Sequence, residues 1–303
     1  MILQKQIYND ITPSSYDLIS MQKHIELCGR VCYRSEELTT NDSYISFVNG
    51  LIKRKHFSVL EHGTIYLLID LEKHADEGFA ILDFYDRNPY SKINLVKDIL
   101  YVTTNYRVIK ENNREDDLRF MQFNPDKNHH KRYTAEFFTD IQIYKELRTH
   151  RPPSFSIEST RFCNYHSEKF GDNIIFSIPS WFEHKEDTIV AYLQDNILQV
   201  ESENSAGFSE KEYAYMNSLI QIEGFYKNLI DLELTPQFAA KVLPQATMAH
   251  VAMTAFADTW QDILNKRYLG ATGKPHPDMV ALMENVFNDF TKKGYIKANK
   301  NVI

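Results

Sequence analysis

The chain has 303 residues, 43% of them hydrophobic and 25% charged, with 18 Tyr and 19 Phe, a composition that excludes a disordered protein. Its formal charge of −7 lacks the Lys/Arg surplus that a broad surface for polymeric nucleic acid needs, yet leaves room for a single nucleotide held by a few local cations. One elaborated domain is expected at this length, and with neither a membrane-length apolar run nor a signal-type core after Met1 the expected protein is soluble and cytoplasmic.

Leu18, Ile19, Ile25, Cys28 and Cys32 recur at helical spacing within residues 15–33, and Ile45, Val48, Leu51 and Ile52 do so within 43–55. Residues 64–69 and 99–109 carry the β-rich runs of strands, the second followed by a charged stretch, Lys110 to Asp117, expected as a solvated loop. Gly171-Asp172 marks a turn before a strand at 174–178. Ser209-x-x-Glu212 is a capping box with Phe208 and Tyr213 at the flanking staple positions, so a helix starts near 210 with Tyr213, Met216, Ile220 and Leu229-Ile230 on its core face. Thr235-Pro236 opens another helix that Leu243-Pro244 closes, and the next is expected over about 248–266. Cys28 and Cys32 have the spacing of a metal half-site, but no second Cys/His pair accompanies them. Packed thiols are the simpler expectation, as for Cys163, and no metal site is expected.

The densest polar cluster is Arg148-Thr149-His150-Arg151, then Pro152-Pro153-Ser154, then Glu158-Ser159-Thr160-Arg161. Three arginines, an imidazole and several hydroxyls within fourteen positions, broken by two prolines, do not fit one amphipathic helix. They are expected to converge in a loop whose guanidinium forks, hydroxyls and backbone N–H groups form a phosphate-binding donor set, a solvated basic turn being the plainer alternative.

His150-Arg151-x7-Ser159, continued by Ser159-Thr160-Arg161-Phe162, resembles the Arg-His-Arg-x7-Ser and Ser-x-Arg-Tyr signature of the flavin-dependent thymidylate synthases. Arg30-Val31-Cys32-Tyr33, His56-x-Ser58-Val59-Leu60-Glu61-His62, Ala240-Lys241-Val242-Leu243-Pro244 and the spacing onward to Arg267 resemble further blocks of that family in the same order. The resemblance spans about 25–290 and implies a single thymidylate synthase-like domain over 1–303, with stretches at about 75–130 and 185–235 that look like insertions. It implies an α/β (α+β) fold with an antiparallel-rich sheet flanked by helices. It also implies a methyltransferase that converts dUMP to dTMP with FAD as cofactor and NADPH and methylenetetrahydrofolate as co-substrates, in a homotetramer with its sites at subunit interfaces.

By position in the motifs, Ser58, His150, Arg151 and Glu158 fall on the cofactor side of the implied site. Glu146, Arg148, Ser159, Thr160, Arg161, Lys241 and Arg267 fall on the substrate side, Arg267 being the residue that stabilises charge on the activated pyrimidine. Read without the family, Arg267 ends the apolar stripe Phe256, Trp260, Ile263, Leu264 and also fits a snorkelling cation at a helix C-terminus. Thr149 stands where the family has its first arginine, and Phe256 and Asp258 stand where many relatives present Asn and Arg to the flavin, a change of two charge units. These departures leave two other readings open: an enzyme that modifies a pyrimidine nucleotide differently, for example by hydroxymethylation, and a non-catalytic nucleotide-binding relative.

Overall fold

In the computed structural model, residues 1–184, 186–195, 197–201 and 207–298 are described; residues 185, 196 and 202–206 of the second inserted stretch, and 299–303, lie outside them. Two short strands, β1 (Ile2–Gln4) and β2 (Ile7–Asp10), precede helix α1 (Leu18–Arg30). Asp17 starts α1 by accepting the N–H groups of Ile19 and Ser20, each at 2.9 Å, which satisfies two of the donors that a helix start leaves unpaired. Met21 and Ile25 bury against Val48 and Leu51 of α2 (Ser43–Lys53). Gly29 permits a close approach here, since a Cβ on it would stand 2.7 Å from the Phe47 and Val59 side chains.

β3 (Thr64–Asp70), α3 (Ala75–Arg87), β4 (Lys92–Val96), β5 (Ile99–Asn105) and α4 (Tyr106–Glu111) follow. The three strands form an antiparallel sheet in the order β3-β5-β4, so the stretch at 75–130 supplies two of them. The strand expected over 99–109 stops at Asn105, whose side chain accepts the N–H of Val108 at 3.2 Å and turns the chain into α4. Helix α4 reaches Glu111 and a 3-10 turn covers Glu115–Phe120, so most of the expected charged loop is helical.

The remaining elements are β6 (Arg132–Asp140), α5 (Ile141–Leu147), β7 (Ser154–Ile157), β8 (Ile175–Ser177), β9 (Thr188–Gln194), β10 (Ile197–Glu201), α6 (Glu210–Asp231), α7 (Pro236–Ala239), β11 (Met248–Phe256), α8 (Ala257–Arg267) and α9 (Pro277–Lys292). The central sheet is antiparallel throughout, in the order β2-β6-β11-β7, and a further sheet runs β10-β9-β1-β8 with only β1 and β8 parallel. Antiparallel sheets flanked by helices are thus the architecture, as the sequence implies.

The helix expected over 248–266 is the main correction. Its first half is strand β11, which pairs with β6 along all nine of its residues and is buried at every position. A strand covered on both faces shows no alternation, and an Ala- and Met-rich run of this kind cannot be told from a buried helix by periodicity. Val251, Met253 and Ala255 face an apolar core with Trp260 and Ile263 of α8 and Met279, Met283 and Phe290 of α9. Ala252 points the other way, against Cys28 and Val31. The capping box at Ser209 and Glu212 forms as expected, and of the expected core face Met216 is buried and Ile220, Leu229 and Ile230 pack against the core, but Tyr213 is exposed and the buried stripe also takes Leu219, Glu223 and Tyr226. The cap carboxylate of Glu212 is itself fully buried, which rotates the inward face by one residue. Among the described residues, no helix is long and apolar enough to cross a membrane.

Candidate active site

Beneath the motif loops, the face of the central sheet opposite α8 carries buried polar groups. His62 bonds Thr254 Oγ1 through Nδ1 at 2.8 Å and Ser156 Oγ through Nε2 at 3.1 Å. Thr254 meets Thr134 at 2.8 Å, and Thr134 meets His24 of α1 at 3.1 Å. Burial pushes His62 well below the usual imidazole range and His24 down to about 4, so both are neutral and serve as fixed hydrogen-bonding struts. His62 ends the Phe57–His62 turn, and its two bonds tie that turn to β11 and β7. Ser58 lies on the outer side of the same turn and is exposed.

Arg132 of β6 is buried in this layer. Its Nη1 donates to Thr64 Oγ1 at 3.1 Å, and its Nη2 donates to the Glu61 carbonyl at 3.0 Å and to Ser154 Oγ at 3.4 Å. Its Nε has no partner, and among the described residues no carboxylate lies within ion-pairing distance. Burial lowers its pKa to about 10, which still leaves a full positive charge at neutral pH.

Arg267, the last residue of α8, reaches α5 and the turn after it. Nε donates to His150 Nε2 at 2.9 Å, Nη1 to Glu146 Oε2 at 3.1 Å, and Nη2 to Thr149 Oγ1 at 3.1 Å and the Glu146 carbonyl at 3.4 Å. A guanidinium has five N–H groups, so these four bonds leave one, on Nη1, for another acceptor. Because Nε is an obligate donor, His150 Nε2 must be the unprotonated nitrogen and its proton sits on Nδ1. Burial and then the neighbouring guanidinium lower the His150 pKa, which keeps the ring neutral. Thr149, in the place of an arginine, contributes a hydroxyl to this network. Arg148 and Arg151 are exposed, and among the described residues the Arg151 guanidinium donates only to the Arg148 carbonyl, at 3.4 Å.

The second half of the cluster lies elsewhere. The single loop expected for residues 148–161 is divided by strand β7, because Ser154–Ile157 pairs with β11. Beyond it, Ser159 donates its N–H to the Cys32 carbonyl at 3.0 Å, on the α1 side of the sheet. Arg161 donates through Nε to Gln237 of α7 at 3.0 Å and lies over the Phe162 ring, and Lys241 stands above Phe238, both cations being exposed. Thr160, between Ser159 and Arg161 in sequence, is half-buried. Arg161 and Arg267 share no hydrogen-bonding partner among the described residues. Glu158 is buried, accepting from Tyr165 Oη at 2.8 Å and the His250 N–H at 3.1 Å, with Arg34 at 3.8 Å. Burial raises its pKa against the pull of Arg34. With Arg34, Phe138 and His250 it lines a cavity of about 260 Å³.

At the N-terminus of α8, Asp258 is paired with Lys92 of β4. The Phe256 ring carries two cations, Lys92 at 4.7 Å and Arg132 at 5.5 Å from its centroid. The carboxylate introduced at 258 is therefore neutralised from within the chain by the stretch at 75–130. Sequence reading misses Lys92, Arg132 and Arg34 because each joins the site from a distant element. Lys131-Arg132 beside His129-His130 reads as part of a solvated polar segment, with nothing in its pattern to mark a buried arginine.

Comparison with protein families matches the chain to the thymidylate synthase complementing protein family over residues 128–293. No curated protein matches it. Among solved structures, the UMP/dUMP methylase PolB from Streptomyces cacaoi bound with 5-Br dUMP aligns at 13% identity and a TM-score of 0.42, covering 97% of this chain and 92% of the methylase. The same methylase bound with 5-Br UMP aligns at 14% and 0.41, covering 97% and 91%. The family match takes in more than half of the chain, from the strand that holds Arg132 through both arginine groups to α9, and the chain belongs to the thymidylate synthase complementing protein family, the flavin-dependent thymidylate synthases.

Proposed function

We propose that the protein is a flavin-dependent thymidylate synthase that converts dUMP to dTMP, taking one carbon from methylenetetrahydrofolate and reducing equivalents from NADPH. The observation that carries this reading is Arg267, which is fixed by Glu146, His150 and Thr149 with one N–H left over. That N–H is suited to a uracil carbonyl, where it stabilises the negative charge that develops as carbon-5 becomes nucleophilic. His150, held neutral, orients the guanidinium and offers its Nδ1–H to a neighbouring acceptor. Ser159, Thr160, Arg161 and Lys241 provide hydroxyls and uncompensated cations for a monophosphate.

FAD is suited to the cleft between Glu61 and Arg151, where the exposed guanidinium of Arg151 calls for an anion and the buried charge of Arg132 stands behind the wall. When bound there, the flavin supplies the hydride that completes the methyl group. Arg151 would hold it there, whereas Ser58 and His150, the other residues expected on the cofactor side, do not line this cleft. At the α8 N-terminus the charge of Lys92 is already matched by Asp258, so this pair offers the flavin no net cation. Because the Arg267 and Arg161 groups stand apart within one chain, the complete site is assigned to two copies in a homotetramer, Arg267 of one meeting Arg161 of another.

The test is an absorbance spectrum on adding FAD, followed by turnover of dUMP with labelled methylenetetrahydrofolate and NADPH, and by sedimentation. Formation of dTMP is expected, with Arg267→Ala slowing turnover about 10²-fold and Arg161→Ala weakening dUMP by about 1.5–3 kcal/mol. Unchanged dUMP affinity in the second variant would remove the phosphate assignment. The filled α8 N-terminus favours one rival, a divergent pyrimidine-nucleotide modifier, and a hydroxymethylated product would establish it.

A further inference from the structure

The cleft beside Arg151 has a volume of about 380 Å³ and is lined by Glu61, Pro89, Tyr90, Arg151, Pro152 and Pro153. Two of these residues, Pro89 and Tyr90, come from the turn between α3 and β4, in the stretch that interrupts the family's motif blocks. The Tyr90 ring is 43% exposed, so its face is free to contact a ligand. Its turn is nevertheless fixed. Asn88 Oδ1 accepts from the Tyr90 N–H at 3.0 Å and from Ser91 Oγ at 3.1 Å, and Ser91 Oγ meets the buried Thr104 hydroxyl of β5 at 2.8 Å. A rigid aromatic ring presented in this way loses little entropy when something stacks on it.

The charge of the cleft is equally one-sided. Its carboxylate, Glu61, is held by Arg107 at 2.5 Å and is thereby neutralised. Arg151 stands on the rim with its guanidinium on a single backbone carbonyl. Arg132 is buried behind the lining, its Nη2 donating to the carbonyl of Glu61, a wall residue, and to Ser154, next to Pro153. A buried guanidinium without a carboxylate partner projects a positive potential that solvent screens poorly. The chemistry of the cleft is therefore a flat apolar wall with Arg151 at its rim and a fixed positive charge behind its lining, which suits an aromatic ring system carrying phosphate and disfavours a cation.

We infer that Tyr90 is a ligand-stacking residue and Arg132 an electrostatic positioning residue of this cleft, which takes a ring-bearing phosphate ester, so that the inserted turn is part of the binding site. That the ligand is FAD rests on the function proposed above; the stacking and charge roles rest on the cleft itself. The experiment measures affinities of the full chain for FAD, ADP and riboflavin by flavin fluorescence and by calorimetry. Tyr90→Ala is expected to weaken FAD and ADP about tenfold, the size of a lost base–aromatic stack, while Tyr90→Phe stays within about twofold. Riboflavin, which lacks phosphate, is expected to bind more weakly than FAD in the wild type, and Arg132→Lys, which keeps the charge, is expected to retain that preference.

Should Arg132→Lys fail to fold, Arg151→Ala at the exposed rim tests the same preference. FAD binding that ignores Tyr90→Ala overturns the inference and leaves the flavin reading standing. Binding of ADP but not FAD, weakened by Tyr90→Ala, overturns the flavin reading and supports the inference. Neither ligand binding overturns both.

Discussion

The two faces of strand β11 solve different problems with the same backbone. On one, Val251, Met253 and Ala255 meet an apolar layer from α8 and α9 that works by volume. On the other, Thr254 enters a hydrogen-bonded chain with His62, Thr134, Ser156 and His24 that works by direction. An apolar layer tolerates exchange of shapes that fill the same space, whereas a polar layer fixes which way each partner points and fails as a unit. The loops that carry the candidate site are attached to the directional face: the Phe57–His62 turn through His62, and the Pro153–Ser154 corner through Arg132.

The largest expected effect lies on the apolar face. Trp260→Ala should cost about 3–5 kcal/mol of unfolding free energy in urea titration, whereas Met283→Leu should cost less than about 1.5 kcal/mol. Equal losses would mean that this face is not governed by volume. On the polar face, His62→Ala strands two hydroxyl partners and should cost about 1–3 kcal/mol. Combined with Thr254→Val it should be non-additive by at least about 0.5 kcal/mol. Additive losses would show that the buried bonds are independent and that the network is only a drawing. Asp17→Ala removes the cap of α1, the helix that covers this face through His24 and Cys28, and about 1 kcal/mol should be lost.

The smallest effect expected is a pH slope from His250. Burial opposes its charge, but a hydrogen bond to Glu136 at 2.7 Å and the Glu36 carboxylate 3.1 Å away outweigh burial and raise its pKa. A raised folded-state pKa gives stability that is complete below the ordinary imidazole pKa and is lost as pH rises through the folded value. Melting temperature should therefore fall as pH rises above the ordinary imidazole pKa of about 6.5, and His250→Gln should flatten that fall. A slope that survives the substitution belongs to another group.

Much of this architecture is legible in residue order. Capping at Ser209, the turn at Gly171 and the strand from Thr64 follow local rules, and the structure has each of them. The motif blocks likewise lead to the family through Arg267, His150 and the Ser159–Arg161 turn. What is hidden is whatever depends on burial from both sides or on distant partners. Strand β11 reads as helix because neither of its faces is exposed, and the arginine cluster reads as one loop because the pairing of Ser154–Ile157 is decided by β11, some hundred residues away. Lys92 and Arg132 acquire meaning only when β4 and β6 bring them to the same phenyl ring.

The position of β11 has a consequence for measurement. Enclosed by β6 along its whole length and by β7 on the other edge, its inner amides have no route to deuterated solvent short of complete opening of the protein. The amide protons of residues 251–255 should be the last to exchange, and their rate reads total unfolding free energy without denaturant. The turns flanking β7, held by only four paired residues, should exchange far sooner, so the loops of the candidate site can loosen and re-form while the strand behind them keeps its protons.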